Sequence, residues 1–529
     1  MESLLQETSV FLHDFSDSAA TLRRADELAR QLQHTASEEQ LSSSFARLPQ
    51  ELLLRIAELV TPPTVLSDEE DMEAEAILAK EQHLRRLPPL LSLAKSISPL
   101  LPDPADPPSR EELETRARLL LTFGRLAQSS MSSSFTTPET QMKATALCTR
   151  LLSQPASFRL SLLKHVLSVS LPPFFRPHPT LNPATGRVLS RPLGGSGGLQ
   201  AWQEEAESDA TSWRRQVGLG GVVQIVVEAL QPGEVEDLWP FLLPPVLTYL
   251  DDYETKNRVI GIWILDSLLD RVDASLLRRT GVGKVFEKSL ESCFSALSDP
   301  LSPTLLTAAH PAALALLNLQ HPPPSSSLLP SDARTAAAAD RARFDALCTL
   351  LTASVFHTWE FTSSHVALET VSARALPPLL DALKAGSVRY LQILVPHLCE
   401  VLAATATNAG GTWTVETVRM MGAAAVALES VVKNGRLRIA RWEGKVVGAV
   451  AQVWVGLKES DGAKELRRSG EGRQVLEVLE GAVKGVLVAL EDARDEKAEG
   501  GLVERLRQKD PIFAGLVPIQ PQSAAPVAV

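Results

Sequence analysis

The sequence predicts an all-α fold, a helical-repeat solenoid of stacked helix pairs carrying long Pro/Ser/Gly-rich loops. Three observations carry that expectation. Apolar residues recur at helical spacing along most of the 529 residues, and strand-like alternation is scarce. Aromatic residues make up only 5%, with three tyrosines, while leucine, alanine and valine recur throughout. Helices packing on helices use aliphatic side chains of this kind. A pattern of leucine, two prolines and two apolar residues also occurs four times. It reads Leu87-Pro88-Pro89-Leu90-Leu91, Leu171-Pro172-Pro173-Phe174-Phe175, Leu243-Pro244-Pro245-Val246-Leu247 and Leu376-Pro377-Pro378-Leu379-Leu380. The last two lie about three lengths of a roughly 40–47-residue helical repeat apart.

Composition narrows the function classes. Hydrophobic residues at 44% and charged residues at 22% support a sizeable core and exclude disorder throughout. A formal charge of −11 argues against wrapping DNA or RNA, which needs a dense basic face. Cys148, Cys293, Cys348 and Cys399 stand alone, without the close spacing of a disulfide framework or zinc cluster, so reduced thiols are expected. Glu2 occupies the region where a signal peptide carries lysine or arginine. The best apolar window, Val446 to Leu457, holds Gln452 and two glycines and reads as a core helix rather than a membrane span. A soluble protein of the cytoplasm and nucleus is the expectation.

Along the chain, residues 1–171 read as an N-terminal helical region, whose third helix carries Leu52, Ile56 and Leu59 on one face. Residues 172–211 read as a flexible Pro/Gly-rich loop whose stretch from Pro177 to Gly198 should be removable without loss of fold. Central repeats follow over 212–320, a Pro/Ser linker over 321–335, C-terminal repeats over 336–500 and a tail over 501–529.

The central repeats are the most legible. Leu238, Leu242, Val246 and Leu250 step four at a time along one face, and Pro244 and Pro245 should bend the helix. Asp251 and Glu254 then offer a helix-start signal. The next helix carries Val259, Ile260, Ile262, Trp263, Ile264, Leu265, Leu268 and Leu269 around most of its circumference, which predicts burial from several sides. It also predicts poor stability without a partner. Bent helix, acidic turn and buried helix together resemble a HEAT repeat, with Asp252 and Arg258 placed to bond between neighbouring repeats. A second pair spans Leu376 to Leu402, with Gly386 as stop, Ser387 as cap and a stripe through Leu391, Leu394, Val395, Leu398 and Leu402.

Motifs for chemistry lack their context. Gly194-Gly195-Ser196-Gly197-Gly198 matches a hydrolase pattern literally, yet it sits in a loop without the strand and helix of a nucleophile elbow. In Gly281-Val282-Gly283-Lys284 a valine follows where a phosphate loop needs Ser or Thr. Gly218-Leu219-Gly220-Gly221 lacks a preceding strand and the spacing of a dinucleotide site. The histidines form no H-E-x-x-H, and no pair of cysteines stands at zinc-site spacing beside them. No catalytic, cofactor-binding or metal-binding residue is expected, and the chain reads as a non-enzyme.

Charge runs remain. Ser67 heads the acidic stretch Asp68 to Glu75 and is a candidate phosphosite, a solvated loop being the plainer reading. Glu204, Glu205, Glu207 and Asp209 form a weaker acidic run before Trp213-Arg214-Arg215. The basic stretch Arg436 to Trp442 reads as a solvated or partner-facing surface.

The run Trp239-Pro240-Phe241 through Pro244-Pro245 to Asp251-Asp252-Tyr253, with Arg258 and Gly261 after it, resembles the central signature of the Tel-two-interacting protein two family. The likeness resumes at Thr280-Gly281 and at Pro300 to Pro303, and the block with Pro377 and Pro378 resembles a later helical pair, together covering 235–310 and 344–440. The resemblance implies a non-catalytic subunit of the Triple-T complex, with the Tel-two protein and Tel-two-interacting protein one as partners. That complex would assist maturation of PI3-kinase-related kinases with the Hsp90 chaperone and its R-two-TP co-chaperone, without a cofactor, nucleic acid or membrane. It also implies that the signature residues are architectural. A HEAT-like adaptor of nuclear transport or phosphatase assembly is the alternative.

Overall fold

Local capping chemistry starts several helices where the periodicity places them. The Ser109 hydroxyl accepts the Glu112 amide at 3.1 Å. Thr137 and Thr140 form a reciprocal box ahead of Pro138, and Thr414 and Thr417 repeat it. Each device satisfies amides that a helix start leaves open.

The computed structural model describes residues 1–35, 45, 47–62, 74–127, 135–190, 213–323, 333–362, 365–407, 412–494 and 502–516. They fall into two compact units, 1–286 and 287–529. The first contains α1 (Glu2–His13), α2 (Ala19–Thr35), α3 (Leu48–Val60), α4 (Ala74–Ile97), α5 (Arg110–Leu126), α6 (Pro138–Leu152), α7 (Ala156–His165), α8 (Leu219–Ala229), α9 (Val235–Leu250), α10 (Thr255–Leu269) and α11 (Ala274–Thr280). The division falls inside α12 (Val282–Phe294). The second unit continues with α13 (Ser302–Gln320), α14 (Ala333–Leu351), α15 (His357–Thr362), α16 (Val366–Leu383), α17 (Leu391–Thr407), α18 (Val415–Asn434), α19 (Glu443–Glu459), α20 (Asp461–Leu466), α21 (Gly470–Ala493) and α22 (Leu502–Lys509).

Among the described residues there is no strand, only an isolated antiparallel bridge between Leu181 and Val188. No helix among them is long and apolar enough to cross a membrane. In the first unit α3 packs on α4 and α5, α5 on α6 and α8, and α10 on α8 and α9. In the second, α17 packs on α18 and α19, and α18 on α16 and α21. Contacts to both the next helix and the next but one produce two layers of stacked pairs, the architecture of helical repeats. The fold is all-α and HEAT-like, as the periodicity predicts.

Particular expectations fare differently. α9 runs unbroken with Pro240, Pro244 and Pro245 inside it, and α4 and α16 likewise hold Pro88, Pro89, Pro377 and Pro378. The Thr248 hydroxyl donates to the Pro244 carbonyl at 2.7 Å, adding a side-chain bond in that stretch. Pro172 and Pro173 instead follow the end of a helix, after a π-turn over Val166–Ser170. In the second pair, Leu391, Leu394, Val395, Leu398 and Leu402 are buried as the stripe predicts. Its turn corrects the sequence reading. Lys384, not Gly386, takes the left-handed φ of 51°, while Gly386 lies against the Phe344 ring with no room for a Cβ. The Ser387 hydroxyl is buried and caps nothing.

α10 also departs from expectation. Val259, Ile260, Ile262, Ile264, Leu265, Leu268 and Leu269 are all buried within the chain, and Trp263 is only half-buried. The unit therefore covers that apolar circumference itself and leaves little of it for a partner. Residues 1–171 and the helices α8 to α11 share one unit, where α5 packs on α8. Arg125 Nε donates to the Val217 carbonyl at 2.8 Å, and Arg159 pairs with Glu234 at 2.5 Å.

Two predictions follow from this burial. Ile264→Asp places an unpaired carboxylate in a fully buried position and should unfold the first unit in a thermal melt followed by circular dichroism. Trp263→Asp should cost markedly less, because its ring is partly solvated. Acidification should destabilise both units. Burial, reinforced by the neighbouring Arg86, holds the His83 imidazole down at about 4, and burial holds His310 at about 4. Unfolded histidine titrates near ~6.5, so between these values the unfolded chain takes up protons that the folded chain refuses. Stability contributed by the neutral rings is full above the unfolded value and is lost as pH falls through this window. The loss levels off below the folded value, at up to about 3 kcal/mol for each ring. His83→Gln and His310→Gln should flatten the dependence of melting midpoint on pH.

Candidate functional site

Asp251, Asp252, Arg258 and Gly261 meet at the turn between α9 and α10. Gly261 lets these helices approach, since a Cβ there would meet the Leu250 amide nitrogen at 2.6 Å. The turn then buries Asp252, whose side chain is only 1% exposed. Arg214 answers it: its Nη2 donates to Asp252 Oδ2, and its Nη1 lies 3.4 Å from Oδ1. The Glu254 amide donates to Oδ1 at 2.7 Å, and Asn257 Nδ2 adds a longer bond at 3.4 Å. Burial pushes the Asp252 carboxyl upward, opposed by Arg214, the Glu254 amide and Asn257. The Arg214 guanidinium is held between Trp213 and Tyr253, 4.8 and 4.6 Å from their ring centres.

This geometry corrects two details of the sequence reading. Asp252, rather than Asp251, serves the start of α10, by accepting the Glu254 amide. The basic partner of its carboxylate is Arg214, from the segment before α8, whereas Arg258 Nε donates to the Asp252 backbone carbonyl at 2.6 Å. Side-chain spacing within one repeat could not reveal a cation 38 positions upstream.

Asp251 turns to another upstream segment. Its Oδ2 lies 3.3 Å from Nε2 of the buried His178, whose Nδ1 shares a 2.7 Å hydrogen bond with Thr180 Oγ1. From there the chain folds back on itself. Asn182 N–H donates to the Arg187 carbonyl at 2.8 Å, and Leu189 N–H to the Thr180 carbonyl at 2.8 Å. At the tip Gly186 has a φ of 63°, and a Cβ there would meet Trp239 Cδ1 at 2.8 Å and Leu243 Cδ1 at 2.9 Å. The Val188 amide donates to the Thr280 carbonyl at 3.0 Å, beside Gly281, whose φ of 75° ends α11. Trp239, Asp251, Thr280 and Gly281 thus form one dock for residues 178–190. Over this stretch the chain is packed, unlike the free loop its composition predicts. Residues 191–212 lie outside the described residues.

Pro240 and Pro244 are partly exposed on α9 and Pro245 is buried; on α16 Pro377 is partly exposed and Pro378 exposed. Gly218 and Gly220 bring α8 against Arg125 and against Ile260 and Tyr249, so they serve packing. Ser67, Ser196 and the acidic run from Glu204 to Asp209 lie outside the described residues. The sequence reading missed His178, Gly186 and the role of Arg214. Their only local signal is an His, a Gly or an Arg without apolar periodicity.

The second unit holds a polar cluster of its own. Glu369, its side chain 4% exposed, lies 3.1 Å from His397 Nε2. The His397 ring stacks on Trp359 at 3.8 Å, and Trp359 Nε1 donates to Ser372 Oγ at 2.8 Å. These groups tie α16 to α17 and to α15. Burial pushes the Cys399 thiol up to about 12, which makes it inert as a nucleophile, and drives Cys148 upward as well. Among the described residues no group of three or more His, Cys, Asp or Glu could hold a metal ion.

Layered helix pairs whose buried polar groups fasten one segment to another define a helical-repeat protein. Residues 120–408 match the model of the Tti2 family, and the chain belongs to that family, the Tel-two-interacting protein two family. The match begins far upstream of the likeness read from the sequence and includes His178, Gly186 and Arg214; it ends at 408, short of 440. No curated protein matches the chain in sequence. Among solved structures, yeast importin-β (Kap95p) is 12% identical with a TM-score of 0.39, over 94% of this chain and 57% of that one. A Kap95:Nup1 complex gives 12% and 0.34, with the same coverage. The chain therefore spans a little over half the length of these solved chains, and its own helix packing, not these distant likenesses, defines its fold.

Asp252→Ala removes the partner of a nearly buried guanidinium and should lower the stability of the first unit by about 3–5 kcal/mol. Asp252→Asn should cost less, because its oxygen still accepts the Glu254 amide; denaturant titration reads both. Gly186→Val should undock 178–190 by driving a side chain into Trp239. Trypsin should then cut after Arg187 at least tenfold faster, while far-ultraviolet helicity is retained.

Proposed function

We propose that this chain is a non-catalytic scaffold subunit of the Triple-T complex, assembling with the Tel-two protein and Tel-two-interacting protein one. In that role it assists maturation and stability of PI3-kinase-related kinases with Hsp90 and R-two-TP, in cytoplasm and nucleus, without a cofactor. The family match over 120–408 carries the reading. The site supports it physically. Asp251, Asp252, Arg214 and His178 face one another rather than an open cleft, so their chemistry is directed to holding segments in register. Stacked helices offer long surfaces for partners of the same build. Within 235–310 and 344–440, where we place the partner contacts, Phe241, Tyr253, Phe361, Ile393 and Val426 are exposed.

Affinity purification of the tagged chain should recover both Triple-T partners. Depleting it should lower PI3-kinase-related kinase proteins while leaving their messages unchanged. A chain that copurifies with neither partner, or a depletion that leaves every such kinase at its normal level, would overturn the proposal. Recovery of transport receptors or a phosphatase core instead would establish the adaptor alternative.

A further inference from the structure

In the second unit, α12, α13 and α14 line a shallow, largely apolar groove. Leu290 and Phe294 of α12 and Leu316 of α13 form a buried floor, and Leu350 of α14 lies along its side. Glu287 and Glu291 stand at its edge, exposed and one helical turn apart, and no lysine or arginine lines it. Lys284 and Lys288 belong to the same helix but not to the groove lining. Among the described residues neither glutamate side chain takes part in an ion pair or a hydrogen bond.

We infer that this groove docks a basic amphipathic helix of a partner protein. Two carboxylates at i and i+4 project about 6 Å apart, the spacing at which lysines or arginines on successive turns of an opposing helix meet them. Apolar side chains on the same face of that helix then enter the groove, the usual geometry of a helix laid in a hydrophobic trough. A small ligand would want its polar contacts converging inside the pocket, whereas these carboxylates stand on an exposed edge. The chain's own linker is a poor occupant by charge. Residues 321–332 contain Leu328 and Leu329 but no lysine or arginine. The inference rests on the groove and not on the Triple-T reading, so either can fail alone.

The test uses the full chain and two fluorescent 14-residue helical peptides with identical leucine positions, one otherwise lysine-rich and the other glutamate-rich. Anisotropy titrations should show the lysine peptide binding roughly tenfold tighter than the glutamate peptide, with the advantage shrinking as salt rises. Glu287→Lys/Glu291→Lys should reverse the preference at an unchanged melting midpoint, since both positions are exposed. Glu459→Lys/Glu477→Lys, outside the groove, controls for the net negative charge and should leave the preference in place. Three results would overturn the inference: equal affinity for the two peptides, a control swap as effective as the groove swap, or binding that emerges only after Leu328→Ser/Leu329→Ser. The last would show that the linker fills the groove.

Discussion

A carboxylate taken almost wholly out of water needs a cation held in place, and in the first unit Asp252 finds one in Arg214. Much of the unit's register follows from that need. Arg214 precedes α8, so closing the pair brings the entry to α8 onto the turn between α9 and α10. The Trp213 ring comes with it and meets Tyr249 edge-on at 4.7 Å. Asp251, the next residue back, reaches His178 in the segment that follows α7. Two adjacent acids thus hold two different stretches of upstream chain against one helical pair. Apolar layers alone tolerate sliding, and these directional contacts allow a single alignment.

Much of the helical framework was legible from the amino acids because its causes are local. The four-residue stripe of α9, the stripe of α17 and the Thr137 and Thr414 starts each lie within a few residues of what they determine. The dock for 178–190 was not legible, because its cause is distant. Nothing near Gly186 announces Trp239, and proline-rich composition reads as a free loop whatever it packs against. The turn before α17 shows the same limit. Gly386 looks like a helix stop, yet the Phe344 ring requires a residue without a side chain there, and the positive φ falls on Lys384. Glycine marked the place correctly and the reason incorrectly.

The prolines teach a related point. A proline inside a helix leaves a carbonyl without its amide, and the sequence predicts a bend at Pro244 and Pro245. Three of the four pairs lie within helices that continue through them. Around Pro88, a side-chain network gathers: Ser92 Oγ donates to its carbonyl at 2.8 Å, and Lys143 Nζ reaches Ser92 Oγ at 2.9 Å. The same residues that interrupt the backbone ladder therefore sit beside contacts from a neighbouring helix, α6, and help to fix its position.

The docked segment has a consequence for synthesis. Residues 178–190 leave the ribosome before Trp239, Asp251 and Thr280 exist as a surface to receive them. At roughly 5–20 residues per second, the interval before Gly281 emerges is on the order of 5–20 s. Throughout it, Leu181 and the ring of His178 lack the surroundings that bury them in the finished unit, and the Val188 amide lacks the Thr280 carbonyl. A nascent chain of this design must hold that segment in waiting until its acceptor surface has been made.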